Sequence, residues 1–269
     1  MCWFKESLKN LNPDSLSTII KKLWEEGKIF QSEAQFQFTL AWKLKEHFDC
    51  EVKLEDLTVI IDGKQKIYTD IVLVKKDYRV AIELKYKTAP LKYGDTTLFD
   101  DGAADVGRYD FLWDVNRIEL LVNPSAKIPI ECEINKNVLG KIILPEAYKV
   151  QEKYEKGYAI ILTNEEKYWN KCWVDETIGV HFTIDNRFSI GAQKEESQLF
   201  SNTLDWKHIS TAPYPECYPK TARVPLSRAR PITLFQAYKY KWEKYCSIIP
   251  SNPKDSGEFK FLIISVENS

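Results

Sequence analysis

Apolar residues recur at helical spacing twice near the N-terminus. Leu16, Ile19, Ile20 and Leu23 share one face of a helix predicted over 14–27, with Gly27 as its stop. Phe36, Leu40, Leu44 and Phe48 recur every four residues and predict a longer helix over 32–48. Phe38, Ala41 and Trp42 widen its apolar face, and Ser32 and Gln35 stand at capping-box spacing. The period then shifts to two. Strands are predicted over 51–61, 66–75 and 78–86, with Asp62-Gly63 as a hairpin turn between the first two. Residues 87–103 read as a loop and 103–122 as a helix. Pro124, Pro129 and Pro145 break up 123–156. Residues 157–164 read as a buried strand and 165–170 as a short helix. Residues 171–232 are irregular, 234–245 read as a helix, and 259–266 as a late strand.

Within the second and third strands, three charged residues interrupt an apolar pattern. If the turn is centred on Lys76-Asp77, Lys75 faces Tyr78, Leu73 faces Val80, Val72 faces Ala81 and Asp70 faces Glu83. Alternation puts Glu83 and Lys85 on one side of their strand. Directly opposed residues lie about 4.5–5.5 Å apart, and two carboxylates that close repel unless a cation sits between them. A divalent metal site with Lys85 at its edge accounts for the pattern. A cross-strand salt bridge on a solvated sheet face is the alternative. Against it, Val72, Val74 and Ala81 share that face and imply that it is covered.

Composition narrows the class. The chain has 269 residues, 44% hydrophobic and 29% charged, which is ordinary for a globular protein. A net charge of -1 means that any basic surface for nucleic acid is local. Six scattered cysteines with no Cys-x-x-Cys pair argue against a zinc site and for reduced thiols. No stretch approaches the roughly 18 apolar residues of a membrane span, and the N-terminus lacks a signal-peptide pattern. A cytoplasmic location without membrane contact is the expectation. His47, His181 and His208 are far apart, and no phosphate-binding Gly-rich loop with Lys is present.

In its order of elements the chain resembles the PD-(D/E)XK nuclease superfamily, whose core is a helix, a three-strand meander, a helix and a further strand. The family signature is an acid on the second strand and (Asp/Glu)-x-Lys on the third. The matching residues are Asp70 and Glu83-Leu84-Lys85. Glu33, in Ser-Glu-Ala-Gln-Phe-Gln, matches the glutamate that many members carry on the preceding helix. The proline of the family name is absent, since Tyr68-Thr69 precede Asp70. The resemblance covers roughly residues 32–163. A fainter likeness to bacterial proteins of this group extends to 157–164 with Tyr168-Trp169, and to Tyr238, Trp242 and Tyr245.

The resemblance implies an α/β fold with a restriction-endonuclease-like core, a mixed central β-sheet flanked by helices, and a C-terminal elaboration. Residues 1–170 would form the core with its N-terminal helices, and 171–269 the elaboration packed on it. It implies Mg²⁺ or Mn²⁺ held by Asp70, Glu83, the Leu84 carbonyl and Glu33, with Lys85 as the catalytic cation. Arg108, Lys87 and Arg117 are candidates for contact with nucleic acid, Arg108 ranking ahead of Arg117 because it lies nearer the helix start. A surface ion pair with Asp105, Asp110 or Asp114 is the competing explanation for the two arginines. The basic, aromatic stretch 223–244 offers a second candidate surface, although an ordinary amphipathic helix explains it equally well.

The function expected is metal-dependent phosphodiester hydrolysis in nucleic acid, DNA ahead of RNA. The near-neutral charge suggests a small groove, a homo-oligomer or a partner protein. The alternatives are a nuclease-like module that binds nucleic acid or protein without cutting, and an interaction protein that uses its aromatic C-terminal region.

Overall fold

The computed structural model describes residues 6–61, 65–102, 104–124, 148–170, 190–191, 197–199, 203–204 and 232–267. The first helix, α1, spans Pro13–Glu25. Asn12 caps it, accepting from Ser15 N at 2.9 Å while its own N–H donates to Ser15 Oγ at 3.0 Å. Pro13 costs nothing at the first helical position, where no N–H partner exists. Helix α2 spans Glu33–Phe48. Ser32 caps it by accepting from Gln35 N, and the Gln35 side chain reaches back to Gln31 N. Asp49, in the left-handed region at φ 51°, ends it.

The central strands are β1 (Glu51–Ile61), β2 (Gln65–Lys75) and β3 (Tyr78–Lys87). A small hairpin follows, β4 (Leu91–Tyr93) and β5 (Thr96–Leu98), inside the stretch that the sequence marks as loop. Helix α3 spans Ala104–Val122. Strands β6 (Tyr148–Val150), β7 (Lys156–Thr163), β8 (Ser197–Leu199), β9 (Thr203–Leu204), β10 (Ile232–Thr233), β11 (Tyr238–Tyr240), β12 (Glu243–Ser247) and β13 (Glu258–Glu267) complete the order. The main sheet is mixed and runs β12-β13-β7-β3-β2-β1-β6. The β3–β7 pair is parallel and the others are antiparallel. No helix among the described residues is long and apolar enough to cross a membrane.

Alternation along the strands sorts the core into two layers. Ile71, Leu73, Ile82, Leu84, Ile160 and Phe261 face α1 and α2, against Leu23, Phe36, Leu40 and Leu44. Val72, Ala81, Ala159, Ile161 and Ile264 face α3, against Leu112, Val115 and Ile118. Three tyrosine hydroxyls tie the sheet to the N-terminal layer. Tyr86, Tyr158 and Tyr245 donate to the carbonyls of Phe30, Leu11 and Lys28.

Further sequence expectations change in the structure. Phe38 and Trp42 are 62% and 54% exposed, because the Phe36–Leu40–Leu44 stripe already fills the sheet-facing side of α2. The helix read over 234–245 is instead β11 and the start of β12. Tyr238 and Tyr240 are buried on either side of an exposed Lys239, which is the period of a strand. These aromatics therefore line the α3 side of the core rather than a surface for stacking bases or docking a partner. The Asp62-Gly63 turn lies outside the described residues, although Ile61 opposite Gln65 closes the ladder on either side of it.

Gly157 on β7 sets how closely α3 lies on the sheet. A Cβ there would sit 2.2 Å from Ile118 Cγ2 and 3.2 Å from Val122 Cγ2. Gly157→Ala should therefore destabilise the protein by about 1–3 kcal/mol through overpacking, read as a lower urea midpoint with an unchanged slope. A wild-type midpoint would show that α3 is free to shift.

Candidate functional site

The pairing of β2 with β3 runs from Lys75 opposite Tyr78 to Ile71 opposite Ile82. It has the register read from the sequence, but it stops one pair short of Asp70 and Glu83. Strand β3 continues to Lys87, held on its other side by β7. Beyond Ile82, its N–H groups find carboxylates in place of a strand. Leu84 N donates to Asp70 Oδ2 at 2.6 Å, and Tyr86 N donates to Glu33 Oε2 at 2.7 Å. Glu33 reaches this point because it opens α2, where a negative charge is favoured by the helix dipole. One turn later, Gln37 Nε2 donates to the Asp70 carbonyl at 2.7 Å and to Glu55 Oε1 at 2.9 Å, fastening α2 to the diverging strand.

Glu83 and Lys85 point to the α3 side, the side of Ala81. Glu83 is 1% exposed. Arg117 Nη2 on α3 stands 2.9 Å from its Oε1, off the direction of a good hydrogen bond, and also donates to the Tyr68 carbonyl. Lys85 Nζ lies 2.7 Å from Asp114 Oδ2 and donates to the Leu84 carbonyl at 3.2 Å. Arg117 Nη1 is 3.4 Å from Asp114 Oδ1. Glu33, Asp70, Glu83, Leu84, Lys85 and Arg117 are thus brought together, and Asp114 joins them. The sequence marks Asp114 only as a surface partner for arginine. The signal available was its i,i+3 spacing to Arg117 in a helix otherwise rich in apolar residues.

Lys87 stands near enough to favour the charged form of Glu33. Arg108 is elsewhere. It is 2% exposed, and its Nη1 donates to the Lys167 carbonyl at 3.1 Å, in the 3₁₀ turn Glu166–Tyr168. The ranking of Arg108 over Arg117 is therefore reversed. Nine residues apart on one helix, the two are half a turn out of phase, so only one can face the cluster.

The carboxyls resist ionisation. Burial pushes Asp70 up to about 6, against the Leu84 N–H and Lys85, which favour its charge. Burial also raises Glu33, and raises Glu83 well above the usual carboxylate range despite Arg117. Burial alone would lower Lys85, but Asp114 and then Glu33 outweigh it and hold the ammonium charged. Four carboxylates share this space with two directly paired cations, so the cluster is short of positive charge.

Among the described residues, no three His, Cys, Asp or Glu side chains converge as a metal cage. The donor set fits a hard divalent cation that keeps its own waters. It comprises two carboxylates, Asp70 and Glu83, with the carbonyl of Leu84, the residue after Glu83, and Glu83 Oε1 is buried without a hydrogen bond.

Asp70 should make stability depend on pH. Its folded carboxyl titrates near 6 and an unfolded aspartate near 4. The folded state therefore holds a proton that the unfolded state has lost, and stability falls as pH rises from about 4 to 6. Asp70→Asn keeps an acceptor for Leu84 N and removes the charge. Without divalent metal at pH 7.5 it should be more stable than wild type by roughly 1–3 kcal/mol, with a shallower loss between pH 4 and 6 in urea melts. A less stable variant at pH 7.5 would contradict the assignment of strain to this carboxylate.

No protein-family model, curated protein or solved structure matches the chain.

Proposed function

We propose that the protein is a metal-dependent nuclease with a restriction-endonuclease-like core, hydrolysing phosphodiester bonds in nucleic acid, with DNA the favoured substrate. The observation that carries this reading is the charge shortage where β2 leaves β3. Four buried or half-buried carboxylates face two directly paired cations, and burial first, with Asp114 adding to it, holds each of the three carboxyls Glu33, Asp70 and Glu83 above its ordinary pKa. A divalent cation supplies the missing charge. Asp70, Glu83 and the Leu84 carbonyl would hold it, with Glu33 acting through water. A bound Mg²⁺ or Mn²⁺ supplies Lewis acidity and makes water a nucleophile at neutral pH.

The protein groups have separate tasks. Lys85 presents a compact point charge beside the carboxylates, on the α3 face, where charge builds up on the phosphate oxygens in the transition state. Arg117 neutralises Glu83, and Lys87 at the end of β3 offers a further charge to a backbone phosphate. The formal charge of -1 gives little long-range attraction for nucleic acid. A short contact, a partner protein or a second copy of the chain would compensate.

A nuclease-like module that does not cut is the second reading. It is favoured by one observation, that Lys85 and Arg117 already have carboxylate partners. Cleavage of plasmid and oligonucleotide substrates with Mg²⁺ or Mn²⁺ separates the two. Wild type should cut only with metal, and Lys85→Ala and Asp70→Asn should each lose about 10²–10³-fold in rate. In the same samples, Mn²⁺ should raise the melting temperature of wild type and leave Asp70→Asn unmoved. Neither cutting nor a thermal response would establish the module.

A further inference from the structure

Asp114 is 3% exposed, and its two oxygens face two different cations. Oδ2 is 2.7 Å from Lys85 Nζ, and Oδ1 is 3.4 Å from Arg117 Nη1. Arg117 passes the contact on to Glu83 at 2.9 Å. As a stabilising element Asp114 is a poor choice, since its charge makes Glu33, Asp70 and Glu83 each harder to ionise. What it provides is position. Lysine is a point charge on a flexible four-carbon stem, and the Lys85 ammonium also contacts the Leu84 carbonyl at 3.2 Å. That carbonyl is one of the oxygens offered to a cation. An ammonium free to close on it would compete for the site. The shorter contact to Asp114 holds Nζ on the α3 side and keeps its bond to that oxygen the longer of the two.

From this geometry we infer that Asp114 is the positioning residue of the cluster. It aims the Lys85 ammonium and steadies the Arg117 guanidinium against Glu83. What Lys85 then does to substrate rests on the nuclease reading above. Asp114 need not touch substrate; it acts through Lys85 and Arg117. The role suits a carboxylate on a helix, because α3 is fixed on the sheet by Leu112, Val115 and Ile118.

The test uses Asp114→Asn, Asp114→Glu, Lys85→Met and the Asp114→Asn/Lys85→Met double variant in the full chain, with Mn²⁺ and an oligonucleotide. Asparagine keeps the shape, so the fold should survive, and each variant's melting temperature checks this. Asp114→Asn should lower kcat by about 10²-fold, the scale of a small misplacement, with KM changed by less than about twofold. Asp114→Glu should recover part of the loss, and the double variant should be no slower than Lys85→Met alone. Independently of activity, the melting-temperature changes of the two single variants should fail to add in the double variant, as contacting residues do.

Wild-type kcat in Asp114→Asn, rate losses that multiply in the double variant, or additive melting temperatures would each overturn the inference while leaving the nuclease reading intact. If wild type cleaves nothing while the melting temperatures remain coupled, the nuclease reading fails. Asp114 is then a structural partner of Lys85, and its positioning role fails with it.

Discussion

The site depends on a backbone constraint. Strand β3 is longer than its neighbour's reach, and its N–H groups beyond Ile82 still require acceptors. Leu84 and Tyr86 are buried there between the flanking layers. Two carboxylates from different elements supply the acceptors, Asp70 from the departing strand and Glu33 from the start of α2. The same two hydrogen bonds that finish the strand bring negative charge to the point where Glu83 emerges. Local strand geometry and the chemistry of the cluster therefore have one cause.

Charge in a covered location must be compensated. Here compensation is partial. Lys85 and Arg117 each take a carboxylate partner, and burial, with the neighbouring carboxylates adding to it, still holds Asp70 above its ordinary range. Removing a carboxylate is expected to relieve the fold, and stability exchanged for a charged, poised site is a pattern of functional centres. A purely structural cluster would gain from apolar replacements of similar volume. The sheet around it carries one layer of helix on each face, with tyrosine hydroxyls seated on carbonyls.

Much of this is legible in the sequence, for identifiable reasons. The β2–β3 register follows from a short turn and strict alternation, so Lys75 opposite Tyr78 fixes every later pair. Glu83 and Lys85 stand out because charge is rare in an apolar strand, and Glu33 because it opens a helix. The C-terminal strands are harder to read. Tyr238, Trp242 and Tyr245 fit a helical period while Tyr238, Tyr240 and Trp242 fit a strand, and aromatic enrichment favours the strand. Phe38 and Trp42 look like core residues until the tilt of α2 on the sheet is known. Asp114 and the choice between Arg117 and Arg108 depend on the rotation of α3 about its axis, which close contact at Gly157 settles in three dimensions and a one-dimensional pattern does not carry.

The proposed chemistry turns on a divalent cation that completes this cluster. Anomalous diffraction from crystals of the protein grown or soaked with Mn²⁺ tests it most directly. A Mn²⁺ peak is expected bounded by the Asp70 and Glu83 carboxylates and the Leu84 carbonyl, the oxygen donors a small hard cation takes. A fully soaked crystal with no peak there, or with Mn²⁺ only at surface carboxylates, would contradict it.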